Sequence, residues 1–195
     1  PGMANGIYWA KRLHAFLTVA QVNAWHYWWF NASDNSGIAD SSDNLAKRGY
    51  VLGQFGRFVR PDFNRIGVVT NSGAAMVRAY RDTNSLRFAI VAINPQPTNA
   101  VILTVTLTNL TTNLVASVTP WITSSSLSMA TQSTVNVSNS VFTYTLPVSS
   151  VVTFVGQTTS NSPPVLTPVS NRTINAGNVL TLANVANVPN APPAA

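Results

Sequence analysis

Residues Trp25, His26, Tyr27, Trp28 and Trp29 stand in a row, so three of the chain's 5 tryptophans fall within five positions. Such residues can bind sugar: indole faces stack on apolar pyranose faces, and polar ring tips reach hydroxyls. Side chains alternate along an extended segment. Ala24, His26 and Trp28 would then share one face, and Trp25, Tyr27 and Trp29 the other. The same residues would equally serve as core aromatics between a sheet and its helices. Both readings stand on these residues alone.

The other chemistry-bearing groups are few. Asp and Glu total 5, all of them Asp, and Cys is 0. Without cysteine there are no disulfides, thiolate zinc sites or thiol nucleophiles. His26 can be a base, a ligand donor or a satisfied core residue, and His14 reads as structural. Two histidines without Glu or Cys make a poor metal set, so no metal and no cofactor is expected. Asp34, Asp40 and Asp43 lie in one loop, where calcium is conceivable, but the spacing and bidentate Glu of an EF-hand are missing. Helix capping by Asp43 and ordinary loop solvation explain them better. Asp62 and Asp82 read as turn or strand-edge residues. No Ser-His-Asp order stands out.

These residues need elements to hold them. Ala10, Leu13, Leu17 and Ala20 recur at helical spacing within residues 7–20. Val22 to Phe30 is aromatic, β-branched and short, which predicts a buried strand. Residues 31–44 are dense in Asn, Asp, Ser and Gly and form a loop. Leu45 to Val59 reads as a second helix, weakened by Gly49, Gly53 and Gly56 and ended by Pro61. Close packing against a sheet would account for those glycines. From Asn64 the pattern becomes short alternating strands near 64–70, 75–82, 86–94, 100–108, 113–122, 134–138, 141–146 and 149–155. Turn residues such as Asn71-Ser72-Gly73 separate them, as in an antiparallel sandwich. Residues 157–164 form a Thr/Ser/Asn/Pro linker, and 165–195 resemble the first strands of an immunoglobulin- or cadherin-like module, cut short.

Composition bounds the function. The 195 residues are 46% hydrophobic and only 8% charged, which excludes wholesale disorder. The net charge is +6, which raises the question of a nucleic-acid partner. Yet the cations from Lys11 to Arg87 are scattered, and Arg172 is the only charge after Arg87. Phosphate recognition needs a clustered basic face, so no nucleic acid is expected. No apolar run reaches the ~20 residues of a membrane span, so no membrane partner is expected either. The Thr/Ser/Asn-rich second half suits a secreted bacterial β-protein. The chain begins Pro-Gly and reads as a piece of a longer one.

Three blocks carry a resemblance: VNAWHYWWF (22–30), LAKRGYVLGQFGRFVRPDFNRIGV (45–68) and WITSSSLSMATQSTVNVSNSVFTYTLPVSSVVTFVG (121–156). In this order they resemble the C-terminal part of glycoside hydrolase family 30, over roughly residues 5–156. The family's glucosylceramidases, glucuronoxylanases and β-1,6-glycanases share a (β/α)8 TIM barrel with a β-sandwich side domain. The resemblance implies a mainly β chain: residues 1–63 as the end of the barrel with its eighth strand and helix, then 64–156 as the sandwich. The remaining sandwich strands would come from the N-terminal side of the barrel. The linker (157–164) and the truncated Ig-like module (165–195) follow.

Barrel active sites lie at the C-terminal strand ends. Trp28 matches the family's active-site tryptophan; His26, Trp29 and Asn31 are weaker carry-overs for substrate binding. The two catalytic Glu of the family would lie on strands ahead of this chain, which holds none. The glucuronoxylanase subgroup grips a uronate with an Arg and a Tyr, and Ala32 and Asp34 stand there instead. A neutral polysaccharide, such as a β-1,6-galactan or glucan, becomes at least as good a substrate as xylan. The expected protein is a secreted retaining glycosidase, monomeric at full length, whose partner is its polysaccharide. The alternative is a non-catalytic carbohydrate-binding or spacer module. Exposed aromatics should make residues 1–60, and not the sandwich, the sticky part of the chain.

Overall fold

The computed structural model describes residues 2–34, 36–70, 73–82, 84–108, 113–160, 165–166 and 186–187. Two helices come first: α1 (Met3–Thr18) and α2 (Lys47–Gly56). α1 is amphipathic, burying Met3, Ile7, Ala10, Leu13 and His14 at three- and four-residue spacing. α2 is shorter than its sequence pattern suggests, because Ala46 is extended and the chain turns after Gly56.

The strands follow: β1 (Phe63–Ile66), β2 (Met76–Asp82), β3 (Arg87–Asn94), β4 (Val101–Thr106), β5 (Asn113–Leu114), β6 (Ser117–Thr123), β7 (Ala130–Thr131), β8 (Val135–Asn136), β9 (Val141–Leu146), β10 (Ser150–Gln157) and β11 (Thr159–Ser160). They are antiparallel throughout. The large sheet runs β1-β2-β3-β10-β6-β7, with β8 also on β6. β4 pairs with β9 as a second layer, and β5 pairs with β11. The expected strand over 113–122 is thus two strands, and β7 and β11 are elements that the alternation did not reveal.

The large sheet is covered on both faces. Phe88, Ile90, Ala92, Val152 and Phe154 point toward Phe142 and Leu146 of β9. Val91, Ile93 and Val151 point the other way, onto Ile7, Ala10, Leu13, Val51 and Phe55 of the helices. This explains why β3 reads as a continuous apolar run and not as an alternation. Helices and sheet therefore share a core, although the residue pattern changes at 64. Phe154 is fully buried, between Phe142 and Tyr144 at 5.2 Å from each. Truncating such a residue to Ala costs about 3–5 kcal/mol.

The second layer is narrower than the first. Val101, Leu103 and Val105 pack inward only in part, and a groove of about 770 Å³ opens beside β4, lined also by Ile66, Val68 and Phe88. The sandwich therefore carries an accessible apolar surface of its own, in addition to the exposed Trp28, Trp29 and Phe30 of residues 1–60.

Val22 to Phe30 does not form the expected strand. The segment bends at Asn23, Trp28 and Phe30, and no described strand lies beside it to complete a ladder. Strand propensity alone does not make a strand; the ladder partners do. No closed barrel is present among the described residues. The immunoglobulin-like segment falls mostly outside the described residues; within them, β12 (Val165–Leu166) pairs antiparallel with β13 (Ala186–Asn187). Residues 161–164 of the linker and the Asn71-Ser72 turn also lie outside them.

Candidate functional site

The aromatic segment is placed by α1. Tyr27 packs edge-on against Trp9 at 4.9 Å, and Trp25 lies 6.0 Å from both Trp9 and Tyr27. Phe16 closes the other side of Trp25 at 6.5 Å. One face of the segment is thus anchored and half-buried, and Ala24, His26 and Trp28 face solvent. The expected alternation holds from Ala24 to Trp28 and breaks at Trp29. Trp29 leaves the Trp25–Tyr27 face and stacks on Trp28, with ring centroids 6.0 Å apart and planes 29° apart. Trp28 is 82% exposed, Trp29 48% and Phe30 62%. These are open aromatic faces of the kind that take an apolar sugar face.

The loop after the segment is folded back along it. Ile38 N–H donates to the Trp29 carbonyl at 3.1 Å and Ala39 N–H to the Phe30 carbonyl at 2.7 Å. Asn31 pairs with Ala39 in an isolated bridge, and its amide donates to Asp43 at 2.6 Å. Asp43 is therefore not the helix cap expected of it: the N-cap is Ala46, with no side-chain cap. Asp34 accepts first from the hydroxyl and then from the backbone N–H of Ser36, which hold its carboxyl below the usual carboxylate range. Asp40 is lowered likewise, by the backbone N–H of Asn44 first. Both are Asx-type turns that spend the carboxylates on local backbone. No group of three or more His, Asp, Cys or Glu among the described residues could hold a metal ion. No described helix is long and apolar enough to cross a membrane.

One contributor escaped the sequence reading. Arg48, only 5% exposed, donates from Nη1 to the Tyr27 hydroxyl at 2.7 Å and to the Ser36 carbonyl at 3.0 Å. The Tyr27 hydroxyl donates to the same carbonyl at 2.8 Å. The available signal was its place in α2, where Arg48, Val51 and Phe55 share the buried stripe. His14 lies apart from all this, buried in α1, its imidazole pushed down to about 4 by burial and by the nearby Arg78. Ala32, where a uronate-gripping cation was sought, is buried.

No family model matches the chain. It is 33% identical over 147 residues to the glucuronoxylanase XynC of Bacillus subtilis (strain 168), covering 75% of this chain and 33% of that protein. It superposes on a GH30 endoxylanase from Clostridium papyrosolvens C71 with TM-score 0.68 and 34% identity, over 80% of this chain and 38% of that one. With the family 30 subfamily 8 xylanase Xyn30A of Clostridium acetobutylicum the TM-score is 0.71 and the identity 31%, over 80% and 39%. The chain spans about a third of the length of the curated relatives it matches. Over 75–80% of its length this chain thus matches proteins of glycoside hydrolase family 30 in sequence and in backbone course.

Proposed function

We propose that this chain is the C-terminal part of a secreted, retaining O-glycosyl hydrolase that cleaves a β-linked polysaccharide, with neutral xylan as its substrate class. The observation that carries the proposal is the outward-facing Trp28–Trp29 stack on the segment leading to α2. In this proposal Val22–Phe30 becomes the eighth barrel strand once neighbouring strands flank it, and Trp28 floors the subsite at its C-terminal end. His26 offers a ring nitrogen beside that floor, and Trp29 and Asn31 line the rim. The groove beside β4 takes the sandwich strand contributed from the N-terminal side of the barrel.

Retention of configuration needs two carboxyl groups about 5–5.5 Å apart. The chain has no Glu, and Asp34, Asp40 and Asp82 are each occupied by their own turns. In this proposal the pair lies outside these 195 residues, and the chain alone is inactive. Similarity to three xylan-cleaving proteins favours xylan over β-1,6-glycans. Ala32 and Asp34 offer no guanidinium fork for a uronate, which favours undecorated xylan over glucuronoxylan.

The test is an assay of the full reading frame on xylan, β-1,6-glucan and β-1,6-galactan, with product anomers followed by NMR. Xylan cleavage with retention is expected. Cleavage of none of them, together with no opposed Glu pair in the longer chain, would replace this proposal by a non-catalytic carbohydrate-binding module.

A further inference from the structure

We propose that Arg48 is the positioning residue of this site. With the Tyr27 hydroxyl it closes on the Ser36 carbonyl, fixing the returning loop at Ser36 against the aromatic segment and so the direction in which Trp28 and Trp29 face. Its consequence for sugar binding rests on the proposed function; the clamp itself does not.

Arg48 stands where local preference disfavours it. α2 has Lys47 and Arg48 in its first turn and no acidic residue there, against the helix dipole. Burying a guanidinium is costly unless its donors are taken up. A residue that breaks a local rule in this way is compensated by what it holds. Here it holds two pieces of chain at once. The Tyr27 hydroxyl and the Ser36 carbonyl are nine residues apart in sequence, and together with the guanidinium they close a triangle of hydrogen bonds of 2.7, 2.8 and 3.0 Å. The guanidinium carbon also lies 5.9 Å from the Tyr27 ring centre. Tyr27 is in turn pinned by Trp9 of α1. Trp28 follows Tyr27 directly, and Trp29 and Phe30 accept from the returning loop at Ile38 and Ala39. The exposed rings have little packing of their own, so the clamp one residue earlier sets their backbone.

The experiment uses the 195-residue chain with Arg48→Lys and Tyr27→Phe. Lys keeps the charge but loses the planar fork, and Phe keeps the ring against Trp9 but loses the hydroxyl. Three readouts are taken: thermolysin cleavage within the loop, near-ultraviolet circular dichroism of the tryptophans, and quenching of tryptophan fluorescence by xylohexaose. Losing a charge-assisted bond frees the loop, so cleavage should rise about tenfold in either variant, with the dichroism diminished and affinity down by a similar factor. The urea midpoint is followed alongside, and the rise in loop cleavage should exceed what any fall in midpoint accounts for, which a merely structural role of Arg48 would not allow. Parent-like cleavage and dichroism in both variants would overturn the proposal. If Arg48→Lys fails to fold, Tyr27→Phe decides it. If the unmodified chain shows no quenching by xylohexaose, the sugar-site proposal fails, while cleavage and dichroism still decide the clamp.

Discussion

Trp28 and Trp29 stack on one another, 6.0 Å between centroids, although adjacent residues of an extended chain ordinarily point to opposite sides. The loop return at Ile38 and Ala39, which binds the Trp29 and Phe30 carbonyls, accompanies this break in alternation. The outcome is an exposed surface of two stacked indoles at the end of the segment.

That surface predicts a separation of binding from stability. Trp28→Ala should weaken xylo-oligosaccharide binding by about thirtyfold, or roughly 2 kcal/mol, as expected for a central aromatic contact. Since Trp28 is 82% exposed, the change in unfolding free energy should stay within about 0.5 kcal/mol. Fluorescence titration and urea melts of the same samples check both. A large loss of stability would mean that the ring packs where the structure leaves it open.

Much of the fold was legible in the residues. Val141–Leu146 alternates cleanly because β9 has one face on the core and one in solvent. Arg87–Asn94 and Ser150–Gln157 are strands, as expected near 86–94 and 149–155, but they do not alternate as expected, because helices cover their second face. Val22–Phe30 was misjudged for the opposite reason: its composition favours a strand, but pairing is a property of neighbours. Ala130–Thr131 is two residues long, too short for any period to show. At the site, Trp28 was visible as an aromatic cluster, whereas Arg48 was hidden because a cation in a helix reads as solvated until its face is known.

A buried polar network joins α2 to the sheet and predicts unequal costs for its two partners. Gln54 is fully buried; its Nε2 donates to Thr123 Oγ1 at 2.9 Å, and Thr123 also accepts from Met129 N–H at 3.1 Å. Thr123→Val strands both donors and should cost about 2–4 kcal/mol. Gln54→Met removes one donor along with Oε1, which has no partner, and leaves Thr123 bonded to Met129. Its cost should fall below about 1.5 kcal/mol. Urea midpoints of the two variants would contradict this if their order were reversed.

His14 makes stability depend on pH. Its imidazole titrates near 4 in the folded chain, depressed by burial first and Arg78 second, against 6.5 when unfolded. Between those values the unfolded chain binds the proton and the folded one does not, so this contribution rises with pH through the window and is lost as pH falls below about 6.5. The urea midpoint should therefore drop from pH 7 to pH 4.5, and His14→Gln should flatten the His-dependent part of that drop. An identical pH profile in the variant would show that another group is responsible.

The helix glycines separate packing from propensity. A Cβ at Gly49 would sit 2.7 Å from Ile38 Cγ2 and 3.1 Å from the Ile38 carbonyl oxygen, so the methyl group meets loop backbone and not merely a yielding side-chain end. One at Gly56 would meet nothing within 4 Å. Gly56→Ala should accordingly stabilise by about 0.5–1 kcal/mol through reduced unfolded-state entropy. Gly49→Ala gains the same entropy but must push Ile38 away, and Ile38 is the residue that donates to the Trp29 carbonyl. It should destabilise, and it should disturb the Trp28–Trp29 dichroism that Gly56→Ala leaves untouched. Stabilisation by both substitutions would mean that the loop is not seated on α2 as tightly as the Ile38 contact requires.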